Sequence, residues 1–423
     1  MEIRERELAL EGGQPVRTAP WPTYDKGDVF VHAEDEEAGL RALRSHLYFR
    51  YDVRPFEETE VARFEAAIRD FFGCRHALAL SSGTAAIAVS LMALRLPPGS
   101  LVACPGFTFA ATPSAILLAG HRPLLIEADE NLHFDVADLR RKYTPDMRAI
   151  VVVHMRGFGS DVDEIRRFAD EVGVPVVEDA VPALGADLRG RRLGTIGRAG
   201  CFSTQSDKSI NTGEGGFLVT DDDELFERAI VLSGAYEGRL RRHLGGREPV
   251  TDDLDLPLFN FRMDEIRGAV AASQMQRLAL RVRLLRSNYA YVTHRLASLD
   301  RLALREPVAP DSVLGEALLF RVPDASPDEV SWFAEALRHE GIDARALGCC
   351  RDVNVRCFWN WRFAFPGADA EQVQASLPRT SRLLKETIDI PLAPRLTRED
   401  CDQLVEAIAK VTAALEEGAA TAA

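Results

Sequence analysis

Lys208 is the side chain whose type and setting could do the most chemistry. The chain carries 51 basic residues, yet only five are lysines: Lys26, Lys142, Lys208, Lys385 and Lys410. Lysine, unlike arginine, can lose its proton when desolvated and form a Schiff base with an aldehyde. Four of the five fall near the N-terminus, at a helix end or on charged helix faces. Lys208 alone lies between two apolar stretches, in CFSTQSDKSINTGEGGFLVT (201–220), with Gly213, Gly215 and Gly216 close behind it. Such a lysine is either a solvated loop residue or an amine held inside a site. Three other stretches bear on the choice. Ser81-Ser82-Gly83-Thr84-Ala85-Ala86 joins a strand pattern to a helix pattern through a glycine, and the free N–H groups of a helix start can hold an anion. An ordinary N-capped helix has the same signature. Glu178-Asp179 sets an acid at the end of an apolar strand, where a buried carboxylate needs a partner. Pro105-Gly106-Phe107-Thr108-Phe109 delivers an aromatic to another strand end, although core rings occur there too.

The elements that must position these residues alternate. Apolar runs predict strands over 77–80, 101–104, 124–127, 149–154, 175–178, 200–204 and 217–220. Helical spacing falls over 84–94, 108–119 (with Pro113 breaking its start), 136–142 and 162–171. Repeated strand–helix units with continuously apolar strands indicate a parallel sheet covered on both faces. Ligands of such sheets bind beyond the carboxyl ends of the strands. Before the sheet, residues 1–35 hold Pro15, Pro20, Pro22 and Gly12-Gly13 and read as an extended arm. Two amphipathic helices follow; in the second, Val61, Phe64, Ile68 and Phe71 share a face and Gly73 is the stop. After the sheet, 263–299 reads as one long helix or two in tandem, then an α+β remainder. Its strands are expected near 318–322 and 388–390. One helix opens at Ser326-Pro327-Asp328-Glu329, and the last opens at Thr397 with Asp400 three residues on. That last helix is expected to run to about Glu417 and to fray beyond it.

At 423 residues the chain can build two or three cores, and 46% hydrophobic with 27% charged residues describes a soluble, globular protein. A net charge of −14 argues against nucleic acid or an anionic membrane surface as partner. MEIRERELAL lacks an apolar signal region, and no apolar run approaches membrane-spanning length. Seven scattered cysteines, with only Cys349 and Cys350 adjacent, fit reduced thiols in the cytoplasm. The nine histidines are dispersed as well, so no metal site is expected.

Six motifs, in order along the chain, carry a resemblance: SSGTAA (81–86), PGFTFAAT (105–112), VHMRGFGSDVD (153–163), VEDA…LGA (177–186), FSTQSDKSINTGEGG (202–216) and FNFRMDEI (259–266). Together they resemble the DegT/StrS family of pyridoxal-phosphate sugar aminotransferases, from LALEGGQPVR to the last helix. The resemblance implies an α/β protein of PLP fold type I, with the aspartate-aminotransferase architecture. That is a large domain with a mostly parallel, seven-stranded type of sheet sandwiched by helices, plus a smaller α+β C-terminal domain. The implied divisions are an arm (1–35), a PLP-binding domain (36–262) and a connecting helix with the small domain (263–423). It implies pyridoxal 5'-phosphate on Lys208, which would also move the substrate proton. Asp179 would hold the pyridine nitrogen protonated and Phe109 would stack on the ring. The phosphate would sit at Gly83, on the Thr84 and Ala85 amides, with Ser203 donating a hydroxyl. Asn260 would reach the neighbouring subunit's phosphate in a homodimer with shared sites, and Arg262 would take the donor's carboxylate.

The resemblance further implies transfer of an amino group from glutamate or glutamine to a ketone or aldehyde of a sugar or cyclitol. One position departs from the family: Pro182 stands three residues after Asp179, where a Gln or His usually meets the cofactor's phenolic oxygen. Gln205 is the nearest polar candidate in sequence to take over. The departure keeps open an oxidase, dehydratase or deaminase of the same family, or a non-catalytic homologue. A family relative that dehydrates has His in place of the lysine, whereas Lys208 is present here. No GxGxxG follows a strand, which disfavours a nicotinamide enzyme. HLYFRYD (46–52) and CFWNWRF (357–363) resemble a branch acting on an eight-carbon keto-sugar acid, while GGQPVR resembles one acting on inososes and related carbocycles.

Overall fold

The computed structural model describes residues 7–22, 31–349 and 353–422; Lys26, Cys350 and Ala423 lie outside them. The strands, in chain order, are β1 (His76–Leu80), β2 (Leu101–Pro105), β3 (Arg122–Ile126), β4 (Met147–Val153), β5 (Val176–Asp179), a short hairpin of β6 (Asp187–Leu188) and β7 (Arg191–Arg192), β8 (Ala199–Ser203) and β9 (Gly216–Thr220). Seven of them form one sheet in the order β1-β9-β8-β5-β4-β2-β3. Only β9 runs against its neighbours, pairing antiparallel with both β1 and β8. The sheet is therefore six parallel strands and one reversed, as the family resemblance implies.

Both faces of this sheet are buried, which is why its strands read as unbroken apolar runs. Leu78 and Leu80 enter one core with Val151 and Val177, while Ala77 and Ala79 enter the opposite core with Ile150 and Val152. The helix Glu60–Phe72 covers the second face. Thr59 caps it by accepting from the Ala62 amide at 3.2 Å, and Gly73 closes it with φ 66°. Val61, Phe64 and Ile68 are fully buried as expected, but Phe72 rather than Phe71 completes the buried face. Phe71 lies beneath the Arg192 guanidinium, 4.5 Å from ring centre.

The expected long helix is two in tandem, Glu265–Met275 and Leu278–Leu296. Beyond it, β10 (Ala303–Leu304), β11 (Ala317–Arg321), β12 (Arg345–Ala346) and β13 (Thr387–Pro391) form an antiparallel sheet in the order β10-β11-β13-β12. The helices Pro327–His339 and Arg398–Ala422 cover it. The first starts with the expected reciprocal cap between Ser326 and Glu329. The second continues to Ala422, past the point where fraying was expected.

The N-terminal segment rides on this second lobe. Leu8 and Trp21 are buried in its core, and Trp21 Nε1 donates to the Pro391 carbonyl at 3.0 Å. Glu340 gathers the segment by accepting from the amides of Ala9 and Val16, each at 2.9 Å. Lys410, read from the sequence as lying on a charged helix face, is instead 6% exposed and donates to Glu340 at 2.8 Å. No helix among the described residues is long and apolar enough to cross a membrane.

Candidate functional site

Strand direction gathers the candidates. β1, β5 and β8 run parallel, so Leu80, Asp179 and Ser203 end on one edge of the sheet, and Gly216 starts the reversed β9 between the ends of β1 and β8. Gly216 is required by this crowding: a Cβ there would lie 2.5 Å from the Ser82 carbonyl carbon and 2.6 Å from the Gly83 nitrogen. Gly83 is equally close, with Ser203 Cβ 2.9 Å from where its own Cβ would be. The helix Gly83–Ala93 thus begins directly against Ser203.

At this helix start Ser82 is the cap, and its hydroxyl accepts from the Ala85 amide at 3.0 Å. Ala85's amide, expected on an anion, is therefore already engaged. The amides of Gly83 and Thr84 make no hydrogen bond among the described residues. Two oriented donors at a positive helix end suit a phosphate. Ser203 is 7% exposed; its hydroxyl donates to the Gly215 carbonyl at 3.3 Å and accepts from the Gln205 amide at 3.2 Å.

Asp179 is 5% exposed, and each carboxylate oxygen has one donor. Thr112 Oγ1 donates to Oδ2 at 2.7 Å and the Val181 amide to Oδ1 at 3.3 Å. Burial pushes the Asp179 carboxyl above its ordinary range; the Thr112 hydroxyl, the Val181 amide and then His154 and Lys208 oppose the rise. A buried carboxylate with lone pairs to spare is suited to a cationic N–H.

Lys208 lies in the loop between β8 and β9. Hydrogen bonds from Thr204 N to Gly215 O at 2.9 Å and from Ser206 N to Gly213 O at 3.1 Å draw the loop's ends together. The Lys208 amide closes a turn onto the Gln205 carbonyl at 2.8 Å. Gln274 ties Asn211 to the tandem helices through two bonds of 2.8 and 2.7 Å. The lysine is thus half-buried in a braced loop, not a solvated one. Gln205 contributes its backbone to the turn, and its side chain is also half-buried.

Phe109 is 51% exposed, just past the end of β2. Asn260 is exposed as well. Arg262 pairs with Leu80 at the end of β1 through its backbone. Its guanidinium donates to the Gly234 carbonyl at 2.8 Å and lies 5.4 Å from the centre of the Phe49 ring. The structure therefore brings together Gly83, Thr84, Ser203, Asp179 and Lys208, while Asn260 and Arg262 occupy an outer segment beside β1.

Sequence reasoning passed over two residues. Thr112 holds Asp179, although it lies in a motif already singled out. His154, at the end of β4, is fully buried beside Glu178; its Nε2 lies 3.0 Å from Glu178 Oε2, and its Nδ1 accepts from the Ser160 amide at 3.2 Å. Glu178 in turn receives the amides of Gly194, Ile196 and Gly197. Those bonds lock the strand end that carries Asp179. The rule that ligands meet strand ends would have found His154.

The donor set fits pyridoxal 5'-phosphate: an amine, a buried carboxylate with spare lone pairs, two unengaged helix-start amides and a tight glycine cradle. No group of three His, Cys, Asp or Glu side chains able to hold a metal occurs among the described residues.

Comparison with known proteins follows the same line. Residues 56–409 match the sequence model of the DegT/DnrJ/EryC1/StrS aminotransferase family. Protein MosB of Rhizobium meliloti is 35% identical over 257 residues, 59% of this chain and 47% of MosB. The GDP-perosamine synthase of Caulobacter vibrioides is 34% identical over 219 residues, 52% of this chain and 57% of the synthase. The chain thus spans about half the length of these curated relatives. Among solved structures, that of S. venezuelae DesV in complex with a ketimine intermediate is similar with a TM-score of 0.77 and 27% identity, covering 94% of this chain and 99% of DesV.

Proposed function

This chain belongs to the DegT/DnrJ/EryC1/StrS aminotransferase family, and from that premise we propose that it moves an amino group from an amino acid, glutamate or glutamine, to a ketone or aldehyde carbon of a sugar or cyclitol. Its cofactor is pyridoxal 5'-phosphate, which when bound supplies a sink for the electron pair left by deprotonation. The observation that carries the reading is the meeting of Lys208, Asp179 and the start of the helix Gly83–Ala93 at one sheet edge.

Each residue has a task within this proposal. Lys208 carries the cofactor and moves the proton at the reacting carbon. Asp179 holds the ring nitrogen protonated, with Thr112 orienting it. Gly83 and Thr84 offer amides to the phosphate beside Ser203, with Ala85 completing the helix start. Phe109 covers a ring face. Arg262 takes the donor's carboxylate, and Asn260 reaches a partner subunit's phosphate. Gln205, its backbone amide bonded to Ser203, lies three residues before the lysine and is the candidate for the cofactor's phenolic oxygen in place of Pro182. We assign the protein as a homodimer with shared sites, supported by the exposed Phe109 past the end of β2 and the exposed Leu258 and Phe259 beside Asn260. Residues 36–262 and 263–423 serve as the two domains of the proposal, with the arm docked on the second. The free thiols of Cys74, Cys104, Cys201 and Cys401 support a cytoplasmic setting.

Pro182 favours one second reading, a family member with altered chemistry such as a dehydratase, an oxidase or a deaminase, because proline offers no donor at its position. The test of the leading reading is borohydride reduction of the cofactor-loaded protein followed by peptide mapping. Label on Lys208, with a visible band discharged by glutamate or glutamine, is the expected result. Label on Lys142 or another lysine would overturn the assignment; label on Lys208 with no donor discharging the band would favour the second reading.

A further inference from the structure

β5 ends in two acids that face opposite ways. Successive strand residues alternate between the faces of a sheet, and Val176 and Val177 before these acids enter the two separate cores. Asp179 accordingly meets Thr112 on one face. Glu178, with no exposed surface, points to the other and is held there by four donors. Its Oε1 accepts from the amides of Ile196 and Gly197 at 2.7 and 2.5 Å, and its Oε2 from the Gly194 amide at 2.8 Å. Glycine is what lets this loop come so close. A Cβ at Gly194 would lie 2.4 Å from Phe202 Cζ, and one at Gly197 would lie 2.8 Å from the Val176 carbonyl oxygen.

His154 supplies the fourth donor. β4 lies beside β5, with Val153 opposite Asp179, and the His154 amide donates to the Asp179 carbonyl at 3.1 Å. Its ring is fully buried. Nδ1 accepts from the Ser160 amide at 3.2 Å, which leaves the ring proton on Nε2, 3.0 Å from Glu178 Oε2. Ser160 is itself pinned, its hydroxyl donating to the Val153 carbonyl at 3.1 Å. One residue thus grips β5 twice, by its backbone at Asp179 and by its ring at Glu178. Burying a carboxylate with an imidazole is a poor route to stability, because apolar side chains of similar volume hold a strand end as well or better. This pair stands one residue from the carboxylate that must be aimed at a cationic N–H.

We propose that His154 and Glu178 are positioning residues for Asp179, fixing the direction of its carboxylate toward the cofactor's ring nitrogen. Both act through the backbone of β5, from the face opposite the Asp179 carboxylate. A hydrogen bond weakens steeply as it leaves linearity, so a strand end free to roll would keep the acid and lose much of its contact. The proposal rests on the reading of Asp179 as the partner of that nitrogen.

The test uses His154→Phe, which keeps the bulk of the ring and removes both of its polar contacts, and His154→Gln, which keeps a donor toward Glu178. Cofactor-free proteins are titrated by fluorescence with pyridoxal 5'-phosphate and with its 1-deaza analogue, which carries carbon in place of the ring nitrogen. Phosphate and lysine contacts are common to the two ligands, so only the nitrogen distinguishes them. His154→Phe should bind pyridoxal 5'-phosphate about tenfold more weakly than wild type, part of one charge-assisted hydrogen bond, and the analogue as tightly as wild type does. His154→Gln should regain most of the loss. Glu178→Gln should show the same selective loss, and it carries the test where His154→Phe does not fold. Equal losses for the two ligands would mark a purely structural role and overturn the proposal, as would unchanged affinity for pyridoxal 5'-phosphate. Asp179→Asn separates the two readings. If it weakens both ligands equally, the assignment of Asp179 fails and this proposal fails with it. If Asp179→Asn is selective while His154→Phe and Glu178→Gln are not, only the proposal fails.

Discussion

Thr112→Val removes one donor from Asp179 while leaving the volume of the side chain unchanged. The Thr112 hydroxyl is the shorter of the two bonds to that carboxylate, 2.7 Å against 3.3 Å for the Val181 amide. A hydrogen bond to a buried charged group contributes about 1.5–3 kcal/mol. At about 1.4 kcal/mol per pH unit, the titration point of the Asp179 carboxyl should rise by roughly one to two pH units. Burial already holds it above the ordinary carboxylate range, and Thr112 is the largest opposing influence. The sign follows from the acid form: the carboxylate exists only above its folded titration point, and the substitution moves that point upward. A protonated ring nitrogen needs the ionised carboxylate, so cofactor binding should fall off at a higher pH in the variant. Thr108 loses the same partner, at 2.8 Å, but keeps the Phe109 carbonyl at 3.3 Å, so no new orphan arises. Fluorescence titration of cofactor-free protein with pyridoxal 5'-phosphate from acid to neutral pH reads the effect. Below the raised titration point the affinity of Thr112→Val should be about tenfold weaker for each pH unit by which that point has moved, while Thr112→Ser stays near wild type. Identical pH dependence in Thr112→Val and wild type would refute the assignment of Asp179 as the nitrogen's partner.

Three other outcomes are expected. Mixing Lys208→Ala with Asn260→Ala subunits should restore some activity, because one hybrid site then holds both residues; a fully active monomer in sedimentation would end the shared-site reading. Gly216→Ala should weaken cofactor binding at least tenfold, since its methyl would lie 2.6 Å from the Gly83 nitrogen and displace the helix start; unchanged affinity would mean that the phosphate lies elsewhere. Glu340→Ala leaves the ammonium of Lys410, 6% exposed, with the Gln14 carbonyl at 3.1 Å but no counter-charge, and frees the amides of Ala9 and Val16. It should cost about 3–5 kcal/mol in urea unfolding, with the N-terminal segment becoming sensitive to protease, and a loss below about 1 kcal/mol would show that the pair is not what holds the arm.

Much of the site was legible because its parts are local. A strand ending in an acid, a glycine-bearing turn into a helix and a lysine between two apolar strands each announce themselves within ten residues. The parallel arrangement of β1, β5 and β8 then places those ends on one edge without further information. Turn and cap chemistry was equally local: Ser326 with Glu329, and Thr59 with Gly73, mark helix ends through bonds that span three or four residues. Smaller misses share a cause. Phe71 and Phe72 are both compatible with helical spacing, and only the neighbouring Arg192 and Phe202 decide which ring is buried. Ala85 looked available to an anion until the Ser82 rotamer was known.

By itself the sequence determined the alternating α/β framework, the singling out of Lys208 among the lysines and the order of the motifs, because these depend on short-range periodicity and on residue chemistry. Only the tertiary structure decided which distant charges meet. Lys410 and Glu340 lie far apart in the chain, and no local pattern distinguishes that buried pair from a lysine on a wet helix face. Arg156 and Asp389 are the sharper case, 2.6 Å apart across more than two hundred residues of chain. Their meeting is set by the left-handed turn at Arg156 and Gly157 and by the pairing of β11 with β13. A carboxyl whose meaning comes from what surrounds it cannot be recognised before the chain has brought those surroundings together.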